Sequence, residues 1–244
     1  EAASLQGKLQ YFECQTFAKF GVLAVKELSY LANSSGGGPR PLSDGLSRSL
    51  RWIVRRLHTA PPRTVDCSDF RAPAILFVDG AVEGTAYDDV TVGAVLCDRD
   101  SKLFEFFGVK VASTILNEWQ PEGPRQVIGQ AEAYSVLLAF LVWANALRNR
   151  RVLVFIDNDA AREAYVKGAT SSKSTRDMLL INASLQAEMS MFPWYARVPS
   201  SSNIADGPSR LAFAHLVGRG AKRVDPSQPV SLSAMADKVL SAEA

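Results

Sequence analysis

The sequence predicts an α/β domain: a mixed five-stranded sheet in the order β-β-β-α-β-α-α-β-α, with a helical appendage on its N-terminal side. Three observations point there. The hydrophobic period changes from helical to strand-like at about residue 74. Val152-Leu153-Val154-Phe155-Ile156 contains no polar residue, as in a strand buried on both faces. The stretch 130–147 is apolar nearly all round, which suits a helix sandwiched against a sheet.

Taken in order, residues 1–32 place Leu5, Leu9, Phe12, Phe17, Phe20, Leu23, Val25, Leu28 and Leu31 largely at helical spacing. Residues 33–39 (Asn-Ser-Ser-Gly-Gly-Gly-Pro) break that pattern and read as a flexible linker. A helix over 43–57 follows, with Leu46, Leu50, Ile53, Val54 and Leu57 on one face. Arg48, Arg51, Arg55 and Arg56 occupy much of another face, either solvated or available to a phosphate backbone. Pro61-Pro62 ends this helix. Residues 74–79, 91–97 and 103–109 are short β-rich runs between Gly-, Asp- and charge-rich turns, and read as three consecutive antiparallel strands. A loop with Trp119, Pro121 and Pro124 leads into the apolar helix, and 151–157 forms the fourth strand. Helix 159–167 is stopped by Gly168. Ser174-Thr175-Arg176-Asp177 resembles a capping box opening a helix to about Met191. Residues 194–198 form the fifth strand, and the last helix starts at Asp206. From Gly218 a tail with Lys222, Arg223 and two prolines ends in a weak helix. The resulting division is a helical segment with linker (1–68), the α/β domain (69–217) and a C-terminal tail (218–244).

The chain has 244 residues and an apolar fraction of 47%, enough for a real core. Its net charge is only +2, so affinity for nucleic acid has to come from local basic patches. Cys14, Cys67 and Cys97 are far apart and odd in number, which argues against a disulfide scaffold and a zinc site and suits a reducing, intracellular compartment, cytoplasm or nucleus. His58 and His215 have no Ser or Cys signature near them and read as structural or surface residues. The most apolar stretch, 133–146, is too short to span a bilayer, so no membrane partner is expected. No signal peptide is read at the N-terminus, and the absence of an initial methionine suggests a piece of something longer.

Four carboxylates organise the chemistry: Asp79, Glu132, Asp157 and Asp206. Asp79 and Asp157 end apolar strands, Glu132 opens the apolar helix, and Asp206 sits in the turn into the last one. Singly, each has an ordinary structural explanation as a turn residue, a helix-dipole partner or an N-cap. Jointly they are harder to explain that way. With the first and fourth strands as neighbours, Asp79 and Asp157 emerge side by side, and the first turn of the helix presents Glu132 to the same point. Like charges so placed repel by roughly 1 kcal/mol per pair in water and by several times that in a drier site. Such a cluster persists when a divalent cation neutralises it.

The motifs then become specific. Val78-Asp79-Gly80-Ala81, the strand Thr91-Val92-Gly93-Ala94-Val95-Leu96, Gln130-Ala131-Glu132-Ala133, Phe155-Ile156-Asp157-Asn158 and Asn203-Ile204-Ala205-Asp206-Gly207-Pro208-Ser209-Arg210 resemble, in order, the motifs of the ribonuclease H family. The resemblance covers about residues 72–215. Its Asp-Asn pair and terminal Ser-Arg look most like the ribonuclease H domains attached to retroelement reverse transcriptases. Residues 1–57 are similar to the thumb or connection segment at the polymerase end, and no polymerase catalytic motif is present.

The resemblance implies an Asp-Glu-Asp-Asp site holding two Mg²⁺ ions, with Mn²⁺ possible in their place. Asp79 would bridge them, Glu132 and Asp157 would complete the ion near the leaving group, and Asp206 the ion near the attacking water. The implied reaction is endonucleolytic hydrolysis of the RNA strand of an RNA–DNA hybrid, with the polymerase portion of the same polyprotein as partner. Gln130, Asn158 and Arg210 are candidates for contacting substrate or orienting ligands, against plain structural roles. Trp119 is a candidate for stacking on nucleic acid or for core packing. Pro199-Ser200-Ser201-Ser202 stands where many cellular members carry a histidine, and Lys167, Lys173 and Arg176 are too sparse for a basic protrusion. Hybrid binding would then fall to the arginine helix or to the polymerase part, and the fragment alone would be weakly active. The alternative is a catalytically silent nucleic-acid-binding module of the same fold. Another nuclease on this fold and an unrelated α/β binding protein are more distant readings.

Overall fold

The computed structural model describes residues 2–13, 43–59, 67–84, 89–119 and 127–241, together with 41, 64 and 122. The predicted helical pattern over 14–32, the linker at 33–39, the stop at Pro61-Pro62 and the loop prolines 121 and 124 lie outside the described residues.

The strands are β1 (Ala74–Glu83), β2 (Asp89–Asp98), β3 (Leu103–Lys110), β4 (Arg151–Ile156), β5 (Phe192–Arg197) and β6 (Lys222–Arg223). They form one sheet in the order β5-β4-β1-β2-β3-β6. β1, β2 and β3 pair antiparallel, whereas β4 runs parallel to both β1 and β5. This is the mixed α/β sheet expected, with one correction: it has six strands, not five. The extra strand is two residues of the supposed tail, pairing Glu105↔Lys222 and Phe106↔Arg223. So short a segment carries no periodicity of its own, and only the exposed edge of β3 defines it.

Ten helices are described: α1 (Ala2–Glu13), α2 (Asp44–Thr59), α3 (Ser113–Trp119), α4 (Val127–Val142), α5 (Ala144–Leu147), α6 (Asp159–Lys167), α7 (Lys173–Met189), α8 (Asp206–Ser209), α9 (Ala214–Gly218) and α10 (Leu232–Ser241). The apolar helix is α4, and all its residues from Gln130 to Phe140 are buried. It ends earlier than predicted. Trp143 leaves helical geometry (φ −104°, ψ 23°) and its indole N–H donates to Glu105 Oε2 at 3.0 Å, splitting off α5. The cap of α7 is also corrected. Ser172, not Ser174, accepts from Thr175 N at 3.1 Å, while Ser174 N and Oγ donate to Glu122. Gly168 stops α6 in the left-handed conformation (φ 64°), as its position predicts. The predicted last helix from Asp206 is instead two short turns, α8 and α9.

The main core lies between the sheet and α4 and α7, with Leu76, Val78, Tyr134, Leu137, Val154 and Met178 at its centre. Leu9, Leu46, Trp52 and Ile53 from α1 and α2 join it, as do Leu232 and Ala236 from α10. The tail helix is thus firmly seated: Glu118 accepts from Leu232 N (3.1 Å) and Ser233 N (2.9 Å) at its start. Arg55 donates to the carbonyls of Leu240 and Ser241 at its end. The arginine face of α2 is therefore mixed: Arg51 is exposed, but Arg55 and Arg56 are half-buried. A smaller cluster of Val95, Phe106, Ala205, Leu216 and Ala221 includes residues of α9 and of the chain beside α8. On the edge strand β5, Trp194 is 73% exposed. Among the described residues no helix is long and apolar enough to cross a membrane.

Candidate metal centre

The site forms where β1 outlasts its parallel partner. β1 and β4 pair from Ala74↔Val152 to Phe77↔Phe155, and the rings of that last pair stack with centroids 4.8 Å apart. Two residues beyond them in each strand's direction come Asp79 and Asp157, which the matched register delivers side by side. Asp79 does not end its strand, as the sequence suggested; β1 runs on to Glu83, paired only with β2. The Asp-Gly dipeptide looks like a turn, but Gly80 serves a close approach. A Cβ there would lie 2.8 Å from Ala131 C and from Glu132 N, so α4 rests its backbone on β1 at this point. Glu132 is thereby brought in, and its carboxyl accepts a hydrogen bond from the Gly80 amide.

One carboxylate oxygen each from Asp79, Glu132 and Asp157 lies within 4.8 Å of the other two. Asp79 (5% exposed) and Glu132 (3%) are buried, and Asp157 is half-buried. Burial raises the Asp79 pKa to about 6, with the Asp157 and Asp206 charges adding and a Ser209 hydrogen bond opposing. Burial raises Glu132 to about 9, helped by the Asp79 and Asp157 charges and opposed by the Gly80 amide. Glu132 Oε2 is buried with no hydrogen-bond partner. A cluster of hard oxygen donors with an orphaned carboxylate oxygen fits a divalent cation.

Asp206 lies beside this group rather than within it. It is close enough for its charge to raise the Asp79 pKa, yet its side chain is 49% exposed and paired with Arg210 at 3.1 Å. A row of small residues places it. Asp79, Gly93 and Gly108 are opposite one another across β1, β2 and β3. A Cβ at Gly93 would collide with Ser209 N and Pro208 C, and one at Gly108 with Pro208 O. The two glycines therefore form a bed on which α8 lies flat. Asn203 fastens the approach, donating to Val78 O at 3.0 Å and accepting from Ala205 N at 3.1 Å. Ser209, fully buried, donates to Asp79 Oδ2.

Of the remaining sequence candidates, Gln130 is turned inward: its Nε2 donates to Ser174 Oγ at 2.8 Å and its Oε1 has no partner. Asn158 caps α6, accepting from Ala161 N at 3.0 Å. Arg210 spans Asp206 and Glu83, the latter at 3.7 Å. Trp119 is a core residue, in edge contact with Tyr134 at 5.7 Å. Sequence reasoning missed Ser209, Gly93 and Gly108 as site residues. The serine's position one helical turn after Asp206 was the available signal; the glycine row exists only across strands.

No protein-family model matches the chain, and no curated protein does. Among solved structures it is similar to ribonuclease H1 from the halophilic archaeon Halobacterium salinarum, at 17% identity over 59% of this chain and 99% of that one (TM-score 0.43). It is also similar to the N-terminal ribonuclease H domain of a Mycobacterium tuberculosis protein, at 18% identity over 61% and 98% (TM-score 0.41). A third likeness is to the foamy viral protease-reverse transcriptase in complex with an RNA/DNA hybrid, at 12% identity over 77% of this chain and 28% of that one (TM-score 0.41).

Proposed function

We propose that this chain hydrolyses the RNA strand of RNA–DNA hybrids with divalent cations, Mg²⁺ or Mn²⁺, as the nuclease part of a retroelement reverse transcriptase. The observation that carries the reading is the meeting of Asp79, Glu132 and Asp157 within 4.8 Å, with a buried Glu132 oxygen left unpartnered. The order of motifs around those acids supports phosphodiesters as the substrate and the hybrid as its form. Asp79, Glu132 and Asp157 would hold one cation, and Asp206 would complete the set for a second. Bound cations supply an activated water and relief of charge on the phosphoryl transition state.

The chain's own residues do the rest. The β1–β4 register and the Gly80 contact fix three donors before any ligand arrives, so little reorganisation is required on binding. Burial at Asp79 and Glu132 lowers the local dielectric, which strengthens every charge interaction there. Arg210, half-exposed beside Asp206, would contact a phosphate once Asp206 is otherwise neutralised. The exposed Arg51 on α2 offers a more distant backbone contact. Discrimination of RNA from DNA would rest on the ribose 2′-hydroxyl.

The test is cleavage of a labelled RNA–DNA hybrid in Mg²⁺ and in Mn²⁺, beside an Asp157→Asn variant and a DNA duplex control. Cutting of the RNA strand by the wild type alone is the expected result. Hybrid binding without cutting would favour the silent module, and equal cutting by Asp157→Asn would remove the acid cluster from the mechanism.

A further inference from the structure

Of the three clustered acids, Asp79 is held by a side chain from outside the cluster. Among the described residues that side chain is Ser209, whose hydroxyl donates to Asp79 Oδ2 from a fully buried position. Glu132 receives the Gly80 amide and meets Asp157 within the cluster, and it keeps one oxygen unpartnered.

The serine is itself over-determined. Its backbone carbonyl accepts from Thr91 Oγ1, and its amide bonds to Ala205 O at 2.9 Å. Its hydroxyl also lies 2.9 Å from Asp206 O, so the same atom touches the backbone of one acid and the carboxylate of another. The hydroxyl has one proton to give, and the charged acceptor is preferred over the carbonyl. Gly93 and Gly108 let the turn descend far enough for this contact.

We infer that Ser209 is a positioning residue for metal binding: it fixes the orientation of the Asp79 carboxylate and locks the α8 turn, with Asp206, to that orientation. The inference rests on the metal-dependent reading above and adds to it a second layer of the site. A carboxylate that is to hold a cation must not rotate, and an outer partner that stops rotation is typically worth about 10–100-fold in metal affinity or activity.

The experiment is calorimetric titration of the intact chain with Mn²⁺ alone, followed by steady-state cleavage of the hybrid, for wild type, Ser209→Ala, Ser209→Cys and Thr91→Ala. Thr91→Ala removes a buried hydrogen bond to the same turn without touching Asp79, and so reports what loosening the turn alone does. The expected result is about tenfold weaker Mn²⁺ binding in Ser209→Ala, with lower kcat and unchanged KM for the hybrid. Ser209→Cys, a weaker donor of similar size, falls between Ser209→Ala and wild type, and Thr91→Ala stays near wild type. Equal losses in Ser209→Ala and Thr91→Ala would overturn the inference in favour of a structural role, as would wild-type affinity in Ser209→Ala. A wild type that binds no Mn²⁺ would overturn the metal-dependent reading itself, and the inference with it.

Discussion

Titratable side chains are buried at both ends of the β1–β4 pair, and they are treated in opposite ways. At the start of β4, Arg150 grips Asp98 with two hydrogen bonds of 2.8 Å, and also reaches Ala72 O and Asp100. Both partners are buried. Burial pushes Asp98 up, but hydrogen bonds from Ser101 and Arg150 and the arginine's charge outweigh it, so its carboxyl sits below the ordinary value. At the far end, Asp79 and Glu132 are equally buried, and burial and neighbouring carboxylates displace both upward against the Ser209 hydrogen bond and Arg210 charge at Asp79 and the Gly80 amide at Glu132. One cluster is thus gripped by an arginine and the other is dominated by burial and like charge. Fold stability explains the first; the second matches the cation site proposed above.

Asp157→Asn breaks the contrast most sharply. Hybrid cleavage is expected to fall by roughly three orders of magnitude, while the melting temperature without metal stays level or rises because a repulsion is removed. A large loss of stability together with activity would place Asp157 in the structural class instead. Arg150→Met is the mirror experiment. It leaves Asp98 buried and unpaired, so urea denaturation should show a loss of about 3–5 kcal/mol, with the Mn²⁺ affinity of the folded protein unchanged.

The pH dependence sharpens the comparison further. Asp79 is raised from 3.8 to about 6 and Glu132 from 4.5 to about 9, so the folded state holds their protons more tightly than the unfolded chain does. That stability is complete below pH 4 and is lost as pH rises through about 6 and then about 9, Asp79 alone accounting for roughly 3 kcal/mol. Asp98, lowered, contributes the opposite arm, lost as pH falls below the ordinary carboxyl range. In chelator, the melting temperature should peak in mild acid. Mg²⁺ should raise it more at pH 8 than at pH 5, and an equal increment at both would contradict the cluster's part in binding. The smallest effect is expected from Gly93→Ala, whose methyl collides with the backbone of the α8 turn. About 1–3 kcal/mol of stability is expected to be lost, with a disproportionate fall in cleavage as Ser209 and Asp206 are displaced.

What was legible in the sequence was whatever a single segment encodes. The apolar run before Asp157 and the all-round apolar helix after Glu132 each announce their burial, and the parallel register then brings the acids together. Interactions between segments were not legible. Trp143 stands at the break between α4 and α5, where its indole N–H donates to Glu105 on β3. Ser174 looks like a cap but is drawn away by Glu122, leaving Ser172 to do it. Asp79-Gly80 reads as a turn because nothing local reveals that α4 occupies the space a side chain would need. The Gly93–Gly108 row is two unremarkable glycines until β2 and β3 are paired.

The exposure of Trp194 gives the molecule a built-in optical reporter. Its four tryptophans divide three to one: Trp52, Trp119 and Trp143 are buried at 1–3% exposure, while Trp194 stands 73% open on the edge strand. Emission from the folded chain should therefore carry a red-shifted, iodide-quenchable component from a single site, over a blue component that iodide cannot reach. Loss of the blue component tracks unfolding of the core, and a change confined to the red one tracks events at the edge of β5, without any label being attached.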